Sequence, residues 1–191
     1  MSDQPWPPPP WDLRGEAVLT VWTVRRDAVP ALPPDVRPIT VAGRAVVVTA
    51  FVDYRPPSVL AYRELLAAVL VRRRARLGVT ITHIWVDDAC SMLGARALWS
   101  IPKQPADFSP GPGVPIARAR EDVVARPRLP VAAAVSVWQH GKSTPMRAAA
   151  RVGRTRLRWR FPAGGGLEWM TAATPRLHLA VANLRLRFGS S

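Results

Sequence analysis

The sequence predicts an α+β domain built mainly of antiparallel strands, and three observations carry that prediction. Strict period-two alternation appears late in the chain, at "RTRLRWRF" (154–161) and "NLRLRF" (183–188), with arginines on one face and leucine, tryptophan and phenylalanine on the other. Two β-branched runs in "RPITVAGRAVVVTAFVDY" flank Ala42-Gly43-Arg44, as the arms of a hairpin flank its turn. One segment, "DACSMLGARALW", changes to the alanine, leucine and methionine of a short helix. Strands with one wet and one apolar face belong to an antiparallel sheet laid over a core. A chain of 191 residues with 48% hydrophobic residues and eight tryptophans can bury one such core, so a single domain over 1–191 is expected.

Taken in order, the elements begin with a proline-rich arm over 1–15, whose "PWPPPPW" is extended and polyproline-like and packs through Trp6 and Trp11. The arm delivers the chain into a first strand, "EAVLTVWTV", and the hairpin follows. The stretch "YRELLAAVLVRRRARLG" has helix-forming residues but no polar face at 3.6-residue spacing until its arginines begin, which favours a strand over 62–73. The arginine-rich turn then closes at Gly78, and "VTITHIWVDD" runs back as the partner strand. Asp87 or Asp88 caps the helix, and Pro102 forces its end. Lys103 therefore sits immediately beyond a helix. After the loop "PAGGGLEW", the run "PRLHLAVANLRLRF" supplies a final alternating strand.

Composition narrows the function classes. The opening "MSDQPWPPPPWDLRG" has no basic region followed by an apolar run, and the longest apolar stretch, Leu129 to Trp138, is too short for a bilayer, so a soluble, cytoplasmic protein with no membrane partner is expected. Cys90 is the lone cysteine and reads as a buried structural thiol; with His83, His140 and His178 scattered, no disulfide or metal-ligand spacing exists and no metal is expected. The net charge of +14 raises nucleic-acid binding. Apart from "RRRAR" (72–76), however, the arginines are dispersed, as in a GC-rich genome, and a solvated basic face accounts for them better. The run "HGKST" (140–144) is similar to the tail of a phosphate-binding loop, but Ser136 stands where that loop needs glycine, so Lys142 reads as a turn lysine.

The basic set holds twenty-five arginines and two lysines, which makes Lys103 conspicuous. Lysine carries a primary amine, which arginine cannot supply. A free lysine, with pKa about 10.4, is neutral in only roughly one molecule in 2500 at pH 7, so an amine nucleophile must have its pKa lowered, as burial can do. Trp99 and Ile101 beside Lys103 offer an apolar wall, and Glu64 is one of few acids in an apolar stretch.

The run "VDDACSMLGARALWSIPKQPADF", with the upstream "AYREL" and the leader "PPPPWDLRGEA", resembles the acetoacetate decarboxylase superfamily, in which a strand ending in Val-Asp leads through a Gly-Arg helix to a Pro-Lys motif. The resemblance covers about residues 7–22 and 54–108. It implies a barrel-like or cone-like curled sheet around an internal ligand cavity, a homo-oligomer, and a cofactor-independent lyase acting on a small keto acid. It puts the Schiff-base lysine at Lys103 and the active-site glutamate at Glu64, 39 residues earlier, as the family's pattern requires. Glu64 would then move protons or orient the carbonyl. Arg96 falls on the Gly-Arg arginine, a candidate to hold a substrate carboxylate or brace the loop. Tyr62, Trp99, Gln104 and Arg14 complete the expected substrate-binding set, Arg14 being displaced by about one residue from the family's N-terminal arginine. Acetoacetate decarboxylases follow the lysine with a second one; Gln104 stands here instead. The rival reading is a non-catalytic protein that binds a small apolar ligand on the same fold.

Overall fold

The structure, a computed structural model, describes residues 5–108, 118–123 and 129–190. The first strand begins earlier than its sequence pattern suggests: β1 runs Trp11–Arg25. Trp11 pairs opposite Phe188 and Gly15 opposite Leu184, so the arm predicted over 1–15 gives way to sheet at Trp11. Two short strands, β2 (Arg37–Pro38) and β3 (Thr40–Val41), precede β4 (Arg44–Tyr54). Ala42 and Gly43, with φ of 49° and 74°, make the expected hairpin turn.

The strand pair read from the middle of the chain is present as β5 (Tyr62–Arg73) and β6 (Arg76–Val86). Its turn lies at Arg74 and Ala75, not at Gly78, which is inside β6. A Cβ at Gly78 would collide with the Ser136 carbonyl and the Trp138 ring. Glycine there permits close backbone approach from a neighbouring strand rather than a turn.

Helix α1 (Ala89–Trp99) and β7 (Lys103–Pro105) follow. The remaining strands are β8 (Arg118–Val123), β9 (Leu129–Gln139), β10 (Lys142–Arg154), β11 (Arg156–Arg160) and β12 (Thr174–Phe188). Seven strands close a barrel in the order β5, β4, β1, β12, β10, β9, β6 and back to β5. All these neighbours are antiparallel except β6 and β9, which run parallel where Gly78 meets Ser136 and Val79 meets Val137.

The arginine alternation is also present, with one correction. Leu157 is buried while Arg156, Arg158 and Arg160 are exposed, but Arg154 ends β10, and β11 pairs with β8 in a separate ribbon. In β12, Leu184 and Phe188 are buried between exposed Arg185 and Arg187.

Apolar residues gather in two clusters within this frame. One contains Trp11, Tyr54, Tyr62, Trp99 and Phe188, and the other Trp22, Trp85, Trp138, Leu167 and Met170. No described helix is long and apolar enough to cross a membrane.

The first cluster is reached through the β6–α1–β7 unit. Parallel strands need a crossover, and α1 supplies it. Asp88 is the cap, its carboxylate accepting the Ser91 amide at 2.6 Å, whereas Asp87 pairs with Arg63 at 2.7 Å. Ser100, in the left-handed region at φ 56°, ends the helix, and the chain re-enters the sheet with Lys103 beside Ile84.

Candidate functional site

Period-two geometry decides which side chains reach the barrel interior. On β5, Tyr62 and Glu64 point inward while Arg63, between them, reaches Asp87 outside. On β4, Tyr54 lies in register with Tyr62, and the two rings pack at 4.8 Å between centroids. Lys103 is the first residue of β7, so its side chain enters from the helix side.

These elements converge on one amine. Lys103 Nζ lies 2.8 Å from Glu64 Oε2, 3.0 Å from the Tyr62 hydroxyl and 2.8 Å from Ser91 Oγ. An ammonium has three hydrogens, and each has an acceptor here. Both charged residues are only 4% exposed, and the Trp11 ring lies 6.0 Å from Nζ. The Tyr62 hydroxyl also donates to Glu64 at 3.4 Å, and Tyr54 hydrogen-bonds to the same carboxylate. Burial, first of all, pushes both phenols well above the ordinary tyrosine range, and the Glu64 charge adds to it. Both tyrosines are therefore protonated donors at neutral pH.

The pair faces a cavity of about 80 Å3, whose walls include Trp11, Leu13, Ile84, Trp99, Met146 and Phe188. One water needs roughly 10–15 Å3 on the same measure, so the space suits a ligand of a few heavy atoms. A larger groove of about 770 Å3 runs along the outside of the barrel past Arg14, Arg147, Arg185 and Arg187. It is lined by neither Lys103 nor Glu64, and we place the candidate chemistry in the smaller, enclosed space.

Of the residues expected from sequence, Lys103, Glu64, Tyr62 and Trp99 meet in this cavity. Three others do not line it. Arg96 Nε donates to the Lys103 carbonyl at 2.6 Å, so its side chain holds the backbone of the lysine. Gln104 alternates away from Lys103 along β7 and is exposed, and Arg14 follows inward-facing Leu13 onto the outer face of β1. Sequence reasoning missed Ser91 and Tyr54 and gave Trp11 only a packing role. Ser91 stood three residues after its cap, a legible helical position, but nothing in sequence said which way α1 faces. Tyr54 required the β4–β5 register, which a sequence does not state.

The family model described as acetoacetate decarboxylase (ADC) matches residues 1–126. No curated protein matches the chain. Among solved structures, the acetoacetate decarboxylase of Legionella pneumophila subsp. pneumophila str. Philadelphia 1 superposes with a TM-score of 0.69 at 16% identity, covering 96% of this chain and 86% of that one. The enduracididine biosynthesis enzyme MppR, complexed with pyruvate, gives 0.59 at 19% identity, covering 98% and 90%. An acetoacetate decarboxylase-like enzyme from Sphingomonas wittichii RW1 gives 0.60 at 13% identity, covering 95% and 91%. At these identities the superpositions speak to the fold alone.

Proposed function

The chain belongs to the acetoacetate decarboxylase family, and on that premise we propose that it is a Schiff-base-forming lyase in which Lys103 condenses with the carbonyl of a small substrate. The observation that carries the reading is the buried amine and carboxylate 2.8 Å apart at the wall of an apolar cavity. Nucleophile and proton acceptor within hydrogen-bond reach are what imine formation needs. Glu64 takes a proton from Nζ, and the free amine attacks the carbonyl carbon to form a carbinolamine. That oxygen then departs as water, with Glu64 returning the proton, and a protonated imine remains. A bond to the adjacent carbon breaks with its electron pair flowing into the iminium to give an enamine, whose carbon is reprotonated before water releases the product. Ser91 and Tyr62 orient Nζ, and Arg96 fixes the lysine through its main-chain carbonyl.

A small keto acid, in a decarboxylase or aldolase/dehydratase reaction, is the substrate class that the resemblance implies, and MppR's complex with pyruvate supports it. The second reading, a binding protein, draws on the same geometry, because an ammonium with every hydrogen engaged can also be a resting structural pair. Oxygen exchange separates the two. Reversible imine formation replaces a ketone's oxygen with one from water, so the wild type should speed 18O loss from labelled 2-butanone and Lys103→Arg should not. If small carbonyl compounds raise the melting temperature while the wild type leaves 18O loss at the uncatalysed rate, the protein binds without reacting.

A further inference from the structure

The charge balance of the cavity speaks to which carbonyl compounds it takes, an inference that rests on the imine reading above. Lys103 and Glu64 form a buried pair of opposite charge. Condensation with an uncharged ketone or aldehyde keeps that balance, because the protonated imine replaces the ammonium. A keto acid adds one negative charge. Among the described residues lining the cavity, the only cation is Lys103 itself.

Arg14, Arg63 and Arg96 are directed elsewhere. Arg96 is on the Lys103 carbonyl, Arg63 is on Asp87, and Arg14 is on the outer face. Nor are the hydroxyl donors free: Tyr54 and Tyr62 each have one O–H, and both point to Glu64, while Ser91, which accepts from Lys103, hydrogen-bonds to Tyr62. Turning either tyrosine towards a second carboxylate would take one of its donors from Glu64. An uncompensated charge taken into an apolar cavity costs several kcal/mol.

We infer that this cavity selects uncharged small carbonyl compounds, ketones or aldehydes, over keto acids, and that a keto acid enters only with the uptake of one proton. The groups that face Glu64 from the surrounding elements are Lys103 on β7, Tyr62 on β5 and Tyr54 on β4, with Asp88 acting on Tyr62 from the N-terminus of α1. None of them offers the missing positive charge. For a keto acid that can decarboxylate, the imbalance outlasts the loss of neutral CO2, because its electron pair turns the iminium into an uncharged enamine beside Glu64, and it is relieved only when the enamine carbon takes up a proton.

Matched isosteres test this. Pyruvate and pyruvamide, or acetoacetate and acetoacetamide, differ chiefly in charge at equal size. Borohydride reduction at a range of concentrations gives each compound's half-saturating value for labelling of Lys103. The amide should saturate at a concentration lower by at least about tenfold, which corresponds to about 1.4 kcal/mol. The ratio of acid to amide labelling should rise as pH falls from 8 to 6, and Glu64→Gln should shrink the preference. If the keto acid labels Lys103 of the wild type as readily as its amide, the charge argument is overturned while the imine stands. If no compound labels Lys103, both fall together.

Discussion

Lys103 and Lys142, the two lysines of this chain, begin β7 and β10, and each sends its ammonium to a group of α1. Lys142 Nζ lies 3.1 Å from the Leu98 carbonyl and 3.3 Å from that of Ala97, where a cation complements the end of a helix. Lys103 instead points three ways at once, to Glu64, Tyr62 and Ser91. An arginine, with planar donors on a longer stem, does not fit that tripod. Because the pair is buried, removing one member leaves the other unpaired. Lys103→Met should therefore destabilise the fold by about 3–5 kcal/mol in urea unfolding, whereas Lys103→Met with Glu64→Leu should recover most of that loss. Recovery in the double variant marks a mutually dependent pair; additive losses would mean that each residue has other partners of equal weight. At this scale the sequence was legible where chemistry is rare. A rare lysine among arginines and a glutamate in an apolar run identify themselves. Arg96, Gln104 and Arg14 were legible only as residue types, because side-chain direction depends on the turn at Ser100 and the register of β1.

Among the elements, the β6–α1–β7 unit decides where the amine sits. Its helix begins on Asp88, whose cap also sets the first turn that carries Ser91. Asp88→Ala should cost about 0.5–2 kcal/mol, as lost N-caps do, and should slow labelling of Lys103 because Ser91 loses its anchor. Labelling at the wild-type rate despite the stability loss would detach the helix start from the site. Helix, hairpin and alternating strands were readable because capping, turn chemistry and period two are local. The break at Thr155 and the place of Gly78 were not. Both depend on a distant partner: β8 receives β11, and β9 seats against Gly78.

Across the whole molecule, closure of the barrel rests on a two-residue parallel contact between β6 and β9, which no local pattern announces. Closure also creates the buried environment that raises both cavity tyrosines. An unfolded tyrosine ionises near pH 10 while these two stay protonated, so the unfolded state loses protons first as pH rises. The stability they contribute is complete below about pH 10 and is lost above it, with a slope approaching 1.4 kcal/mol per pH unit for each tyrosine. Urea unfolding between pH 9 and 11 should show that decline, and Tyr54→Phe should flatten it. An unchanged slope in Tyr54→Phe would mean that other groups govern alkaline unfolding.

The account turns on Lys103 becoming covalently bound to a carbonyl carbon. Peptide mass mapping after borohydride reduction with 2-butanone and with pyruvamide measures that directly. Each compound should add its own reduced mass to the peptide containing Lys103, leave Lys142 unmodified, and add nothing to a folded Lys103→Arg variant. Modification of Lys142 alone, or no borohydride-dependent mass on Lys103 with either compound from pH 6 to 9, would contradict the account.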